Sequence, residues 1–403
     1  MILGIDFGAS CCRAFYSIGD KSWPVYSKDG YALIPSAVEY KNDLSVIVGR
    51  EARDDYYSGK ESIVFLAKYL IGKRYDPDLV LRFEEDWGCQ VDNVDGKPAF
   101  WIGSLQKHVF PLDVCTEIIR YFIDLSNVYA VYGISNICVT VPSYFDPNQR
   151  ALLQQAVENC GYKPDQVSLL PDTDCFIFCY DDNATIHKET VAVLNIGFAS
   201  LTFAVYSRDG DHYSPRFSHS SFTLGGNEYT KRIYAWLSEE YLKKTGRRLT
   251  EESKLIQRAA IREANRLKGS LMCGNAEVEW LTSMDGVSAV LTRHQFEEMT
   301  RDLTDGLTAF LEKCLADEGM TKDAIEYVLF SGCGTRMYNL RNCIFDIFGF
   351  NKIDDEFTCC DDCGAYGAYL NAMKKSSKKQ LYDCCNKQNH SQFTFHMLLM
   401  ERL

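Results

Sequence analysis

The sequence predicts an α/β protein of two equivalent lobes, and three observations carry that prediction. First, residues 2–17 (ILGIDFGASCCRAFYS) and 191–207 (VAVLNIGFASLTFAVYS) share one plan. Each has an apolar run rich in β-branched and aromatic residues, a loop of small and polar residues, and a second apolar run, which reads as strand, tight turn, strand. Asp6 aligns with Asn195 and Gly8 with Gly197. Second, the apolar strand at 137–141, closed by Pro142, runs into a punctuated helix start with Asp146 as N-cap, Pro147 at the first helical position and Gln149 three residues past the cap. A strand followed by a capped helix is an α/β signal. Third, a strand at 327–330 leads into Ser331-Gly332-Cys333-Gly334-Thr335-Arg336, another small-residue loop ahead of a helix. Such loops present backbone N–H groups that suit phosphate. Three of them at strand ends point to a phosphate and adenosine site in a cleft between the lobes.

At 403 residues, with 46% hydrophobic and 24% charged residues, the chain suits two core-bearing lobes and falls outside the disordered class. Its 43 basic and 55 acidic residues give a net charge of −12, which argues against nucleic-acid and membrane partners. No apolar run approaches the roughly 18 residues that span a bilayer. The chain enters its first core strand at Ile2 without a basic leader, so a cytoplasmic location is expected, with the 17 cysteines mostly reduced. Cys138, Cys160, Cys175, Cys179 and Cys343 lie in apolar runs, where cysteine behaves as a small hydrophobe.

Taken in order, residues 25–48 read as short strands broken by turns such as Lys28-Asp29-Gly30, and 63–75 as an apolar stretch ending in a basic cluster. A less regular region follows to 110. The spacing of Ile118, Ile119, Phe122 and Leu125 predicts a helix over 114–132. Leu152, Leu153, Ala156, Val157 and Cys160 form the buried face of the capped helix, which Gly161 ends. A glycine turn at 223–227 opens a helix over 229–244, a second helical pattern runs from 250 to 271, and 278–291 reads as a β-meander. Thr292 and Gln295 form a capping box for one amphipathic helix reaching 317, with Phe296, Met299, Leu303, Leu307 and Phe310 on its apolar face. These elements give one lobe of about 1–188 plus 355–373 and another of about 189–354. Residues 374–403 open with the basic run KKSSKK and read as a polar tail whose end, 396–403, could dock as one or two helical turns.

Five fragments, GIDFG at 4–8, VFLAKYLIG at 64–72, VTVPSYF at 139–145, LGG at 224–226 and GAYGA at 364–368, occur in the order found in one known family. Over residues 1–373 the chain resembles the nucleotide-binding (ATPase) domain of the 70-kDa heat-shock chaperones, in the actin and sugar-kinase superfamily. The resemblance implies a two-lobed actin-like ATPase fold, with duplicated ribonuclease-H-like lobes around a nucleotide cleft. It also implies ATP or ADP with Mg²⁺ as ligands, and chaperone-system proteins as partners. The linker and peptide-gripping β-sandwich of a full chaperone are not recognisable in the sequence, so client holding in the usual way is not expected.

Residue by residue, the resemblance places Asp6 beside magnesium and its waters, Gly8, Ala9 and Ser10 in the first phosphate loop, and Lys68 near the γ-phosphate and the attacking water. It places Asp172 at the general-base position, Pro142 and Arg150 in the relay between lobes, and Gly225 and Gly226 in the nucleotide site. Gly332, Gly334 and Arg336 fall at the adenine. The basic adenosine-site helix falls on 263–270 and includes Ser270, with its register open between Arg266 and Lys268. The departures lie in the second phosphate loop, where the family has an aspartate, three glycines, a threonine and, two residues on, another aspartate. Here Asn195, Gly197, Phe198, Ala199, Ser200 and Thr202 stand at those positions. Asn195 is a neutral ligand that cannot accept a proton from bound water. Phe198 and Ala199 replace residues that let the backbone approach phosphate. Asp172 is one methylene shorter than the family's glutamate, and a shift of about 1 Å in a catalytic group costs on the order of a hundredfold in rate.

The expectation is an adenine-nucleotide-binding domain with impaired hydrolysis and weak or lost Mg²⁺ binding, acting as a regulator or partner-binding module. A slow but genuine ATPase and a nucleotide-free scaffold are the alternatives. Asp172 has a structural role open to it beside the catalytic one. Cys359, Cys360, Asp361, Asp362 and Cys363, with Cys384, Cys385 and His390, supply enough ligands for zinc, but the spacing matches no common finger and core thiols are the favoured reading. His294 is expected to be an exposed cap-region residue.

Overall fold

Two sheets of the same design carry the chain in the computed structural model, which describes residues 1–18, 21–84, 86–184, 187–272, 277–281, 287–353 and 362–377. The labels below number the strands of these sheets and the helices around the cleft. The first sheet contains β1 (Ile2–Asp6), β2 (Cys11–Ile18), β3 (Lys21–Pro24), β4 (Asn136–Val141) and β5 (Val167–Pro171), in the order β5-β4-β1-β2-β3. Its helices include α1 (Ala67–Leu70), α2 (Pro111–Asn127), α3 (Pro147–Glu158) and α4 (Asp172–Asn183). The second sheet contains β6 (Thr190–Ile196), β7 (Leu201–Asp209), β8 (His212–Ser221) and β9 (Tyr327–Ser331), in the order β9-β6-β7-β8. Around it lie α5 (Gly226–Thr245), α6 (Lys254–Met272), α7 (Arg293–Met299), α8 (Arg301–Asp317) and α9 (Tyr338–Phe348).

The duplication is visible in the pairing. β1 lies parallel to β4 and antiparallel to β2, and β6 lies parallel to β9 and antiparallel to β7. Asp6 faces Arg13 across the first hairpin, and Asn195 faces Thr202 across the second. A final helix, α10 (Cys363–Ser377), returns to the first sheet, packing on β1, β4 and α4. Each half buries its own core, one around Leu3, Ile5, Phe100 and Phe122, the other around Leu194, Phe203, Ile233 and Leu311.

Several expectations need correction. The irregular region before 110 contains a three-stranded antiparallel sheet, Val91–Val94, Lys97–Ile102 and Lys107–Val109. Asp95 and Gly96, both at positive φ, make its first turn, the tight hairpin that an Asp-Gly pair favours. The helix predicted over 114–132 is α2, which starts earlier because Pro111 opens it and Asp113 accepts from the Phe110 N–H, and stops at Asn127. The single helix predicted to 317 is two. Buried Thr300 has non-helical torsions, its hydroxyl donates to the Phe296 carbonyl, and its own carbonyl accepts from Leu303 and Thr304 to start α8 afresh. Asn339 donates to the same Thr300 hydroxyl and fixes the break from outside. The predicted meander is the two-stranded hairpin Glu277–Leu281 and Ser288–Thr292. α10 carries helix past 373 into the basic run.

The Asp146, Pro147, Gln149 start, the Thr292 capping box and exposed His294 are as the sequence predicts. The described cysteines form no disulfide with one another, and Cys363 is buried. The other zinc candidates, apart from Asp362, lie outside the described residues.

Candidate nucleotide site

The carboxyl ends of β1, β4, β6 and β9 meet at the cleft, and the loops that follow them carry most of the predicted site. β1 ends at Asp6, whose Oδ1 accepts from Thr140 Oγ1 at 2.9 Å, while the same hydroxyl accepts from the Phe7 N–H at 2.9 Å. Thr140 thus fixes both the acid and the entry to the loop. The N–H groups of Gly8, Ala9 and Ser10 donate to no other described residue, whereas the Gly8 carbonyl is held by Ser36 Oγ at 2.9 Å. This is a nest with its donors available to an anion.

Lys68 sits on the four-residue helix α1, entered through Leu66 in a left-handed conformation at φ 55°. Only 8% exposed, Lys68 donates through Nζ to the Phe7 carbonyl. Burial lowers its pKa against the opposing pull of Asp172 and Asp6. Burial likewise raises the Asp6 carboxyl despite Lys68, Thr140 and Arg13. Asp172 opens α4, with its Oδ1 accepting from the Thr173 N–H at 2.8 Å. Burial pushes its pKa up to about 6, with Lys68 opposing and Asp6 reinforcing the shift. Asp6, Lys68 and Asp172 therefore form one buried cluster of mutually interacting charges.

Asn195 reaches this cluster from the other half, donating from Nδ2 to Asp172 Oδ2 at 3.1 Å. Thr202, at the second missing carboxylate, pairs instead with Ser220 Oγ at 2.9 Å. Of the three positions that the resemblance sets beside magnesium, Asp6 alone keeps a carboxyl group. The second loop folds tightly, with the Gly197 N–H donating to the Ser200 carbonyl. Behind it, the Gly197 and Phe198 carbonyls accept from the N–H groups of Gly226 and Asn227. Glycine is required at 225, because a Cβ there would lie 2.6 Å from Phe198 O and Ala199 C.

Lys268 on α6 donates to the Gly226 carbonyl at 3.1 Å and to Thr230 Oγ1 at 2.6 Å. Burial brings its pKa down to about 8, opposed by Cys333 and Asp86. Arg266 pairs with Glu263 at 2.7 Å with its side chain 46% exposed, while Lys268 is the one in hydrogen-bond contact with the Gly225–Gly226 turn. Gly332 has φ +77° and a Cβ there would strike the Ile196 carbonyl, which places the third loop directly on the end of β6. Gly334 is buried in the 3₁₀ turn Cys333–Arg336, and Arg336 closes that turn half-buried. Ser270 lies two residues past Lys268 on α6, also half-buried. Pro142 and Arg150 meet at the 143–145 turn, where Arg150 Nε donates to Phe145 O at 2.9 Å and a terminal nitrogen to Ser143 O at 3.2 Å. In the sequence, Thr140 and Tyr144 stand out only as members of a matching fragment. The structure gives them contacts, Thr140 on Asp6 and Tyr144 Oη 3.4 Å from Ser200 Oγ.

The family model described as Hsp70 protein matches residues 2–385. The chain belongs to the Hsp70 family. Its two matched sheets are accordingly the actin-like ATPase fold of that family. The chain is 23% identical over 382 residues to a heat shock protein of Pyricularia oryzae, covering 93% of this chain and 62% of the relative. To chaperone protein DnaK of Trichormus variabilis it is 24% identical over 377 residues, covering 92% and 54%. To a ribosome-associated molecular chaperone of Saccharomyces cerevisiae it is 23% identical over 371 residues, covering 91% and 60%. The chain thus spans between about half and two thirds of the length of these Hsp70 relatives. No described helix is long and apolar enough to cross a membrane.

Proposed function

We propose that this Hsp70-family domain binds adenine nucleotide between its first loop, the Gly225–Gly226 turn, Lys268 and the 332–336 loop, and does not turn ATP over. The Asn195 to Asp172 hydrogen bond carries this reading. A general base must turn a carboxylate lone pair on the attacking water. At Asp172 the Asn195 amide competes for one oxygen and the Thr173 N–H for the other. The donor set is also poor for a resident Mg²⁺. Asp6 is the one carboxyl group left at the three positions and its Oδ1 accepts from Thr140, Asn195 is a neutral amide whose N–H₂ donates to Asp172, and Thr202 is engaged with Ser220. Mg²⁺ takes near-octahedral oxygen ligation, usually with carboxylate and phosphate help.

In this reading the domain works in the cytosol as a regulator or partner-binding module for chaperone-system proteins. The Asp172–Asn195 contact then ties the lobes together rather than serving a cycle, with Asp6, Lys68, Pro142 and Arg150 shaping the first lobe's side of it. A second reading, a scaffold that binds no nucleotide, is favoured by the side-chain contacts made directly across the cleft, such as Ser143 Oγ to Ser218 Oγ at 2.9 Å. Thermal unfolding separates the two. A ligand at about 100 times its Kd adds roughly 2.7 kcal/mol, so millimolar ADP in EDTA should raise Tm by degrees. An unchanged Tm with ADP and ATP, with and without Mg²⁺, would leave only the scaffold.

A further inference from the structure

The tip of the second loop is fastened to the opposite half. Ala199 is 6% exposed and is buried in the first half's core cluster, although its flanking strands β6 and β7 belong to the other sheet. Phe198 packs against that same cluster. Tyr144 of the first half stands at the loop's end, with Oη 3.4 Å from Ser200 Oγ, and its ring meets Phe222 edge-on at 4.8 Å. From behind, the start of α5 pins the loop through the Gly197 and Phe198 carbonyls, and Gly225 leaves no room for retreat. Asn195 and Asp172 tie the same two halves together at the end of β6.

A nucleotide's phosphate chain has to run between the first loop, 8–10, and the second, 197–200. Phe198 of the second loop and Ala9 of the first pack against the same cluster, and an apolar ring gives a polyanion neither hydrogen bonds nor charge compensation. Farther out, Lys268 stands at the Gly225–Gly226 turn, and Gly332, Gly334 and Arg336 belong to the third loop, where Cys333 is exposed. The contacts of Phe198 lie at the phosphate loops and not at these residues.

The geometry points to Phe198 as a specificity-determining residue that restricts the site to adenosine or adenosine monophosphate, bound without a metal ion. This rests on the adenine reading proposed above. Calorimetric titration of the full chain with adenosine, AMP, ADP and ATP, each in EDTA and in Mg²⁺, tests it. Adenosine and AMP should bind within roughly threefold of each other, with ATP at least about tenfold weaker and indifferent to Mg²⁺. Phe198→Gly should tighten ATP by about tenfold while leaving adenosine within roughly threefold. Phe198→Ala, which keeps a Cβ and the loop's torsional limits, should move in the same direction by less. ATP binding to the wild type as tightly as AMP, or an unchanged ATP-to-AMP ratio in both variants, overturns the inference and leaves the adenine site standing. Absence of binding by all four compounds overturns both.

Discussion

Asn195→Asp is the most informative single change, because it returns a carboxylate to the position where this chain carries an amide. In the wild type the amide donates to a buried carboxylate at 3.1 Å, and a hydrogen bond to a charged group is worth about 1.5–3 kcal/mol. The variant loses that donor and sets two carboxylates against each other. At about 4 Å and an effective dielectric of about 20, their repulsion is on the order of 4 kcal/mol. Lys68 offsets part of it, and protonation relieves more. The Asp172 pKa already lies at about 6 and moves higher beside a second negative charge. The net cost at pH 7.5 is about 2–4 kcal/mol, which lowers Tm by several degrees.

The pH dependence has a definite sign. A carboxyl whose folded pKa exceeds its unfolded value, 3.8 for Asp, binds more protons folded than unfolded between the two values, so stability rises as pH falls through that window. The variant's deficit should therefore shrink between pH 7.5 and pH 5. Circular-dichroism melts in EDTA measure it, and added Mg²⁺ should recover part of the loss in the variant alone. Equal Tm at pH 7.5, or a deficit that does not shrink on acidification, would refute the role given to the Asn195–Asp172 contact.

Lys68→Met leaves Asp6 and Asp172 buried without their cation, and breaking such a cluster costs about 3–5 kcal/mol, read as a lower urea midpoint. Gly225→Ala drives a Cβ to 2.6 Å from the second loop's backbone, with an expected loss of about 1–3 kcal/mol in the same assay. Lys268→Ala should weaken adenosine binding by about tenfold or more while Arg266→Ala leaves it unchanged. The opposite outcome would place the other residue of α6 at the ligand.

Most of the fold is legible because the duplicated unit writes the same hydrophobic pattern twice, and because Asp146 and Thr292 cap their helices with side chains close in sequence. What escapes depends on distant partners. Thr300 fits an unbroken apolar spacing, and the contact from Asn339 that stabilises the break comes from another helix. The strands at 91–109 are too short for a clear alternation, leaving Asp95-Gly96 as their only local signal. In the site, Asp6 and Lys68 are legible from the matching fragments, and Asp172 only from the position at which the resemblance sets the general base. The choice between Lys268 and Arg266 is not, since it depends on which face of α6 meets α5. The sequence shows that Phe198 and Ala199 alter the second nest, but not that they reach the opposite core, because that contact exists only once the halves close.

In the function proposed, this Hsp70-family site separates nucleotide binding from hydrolysis. Single-turnover incubation of γ-labelled ATP with excess protein and Mg²⁺ tests it most directly. The predicted result is phosphate release no faster than in a protein-free blank, although adenine-ligand binding is measured under the same conditions. Release of phosphate in proportion to protein, abolished by Lys68→Met or Asp172→Asn, would contradict it.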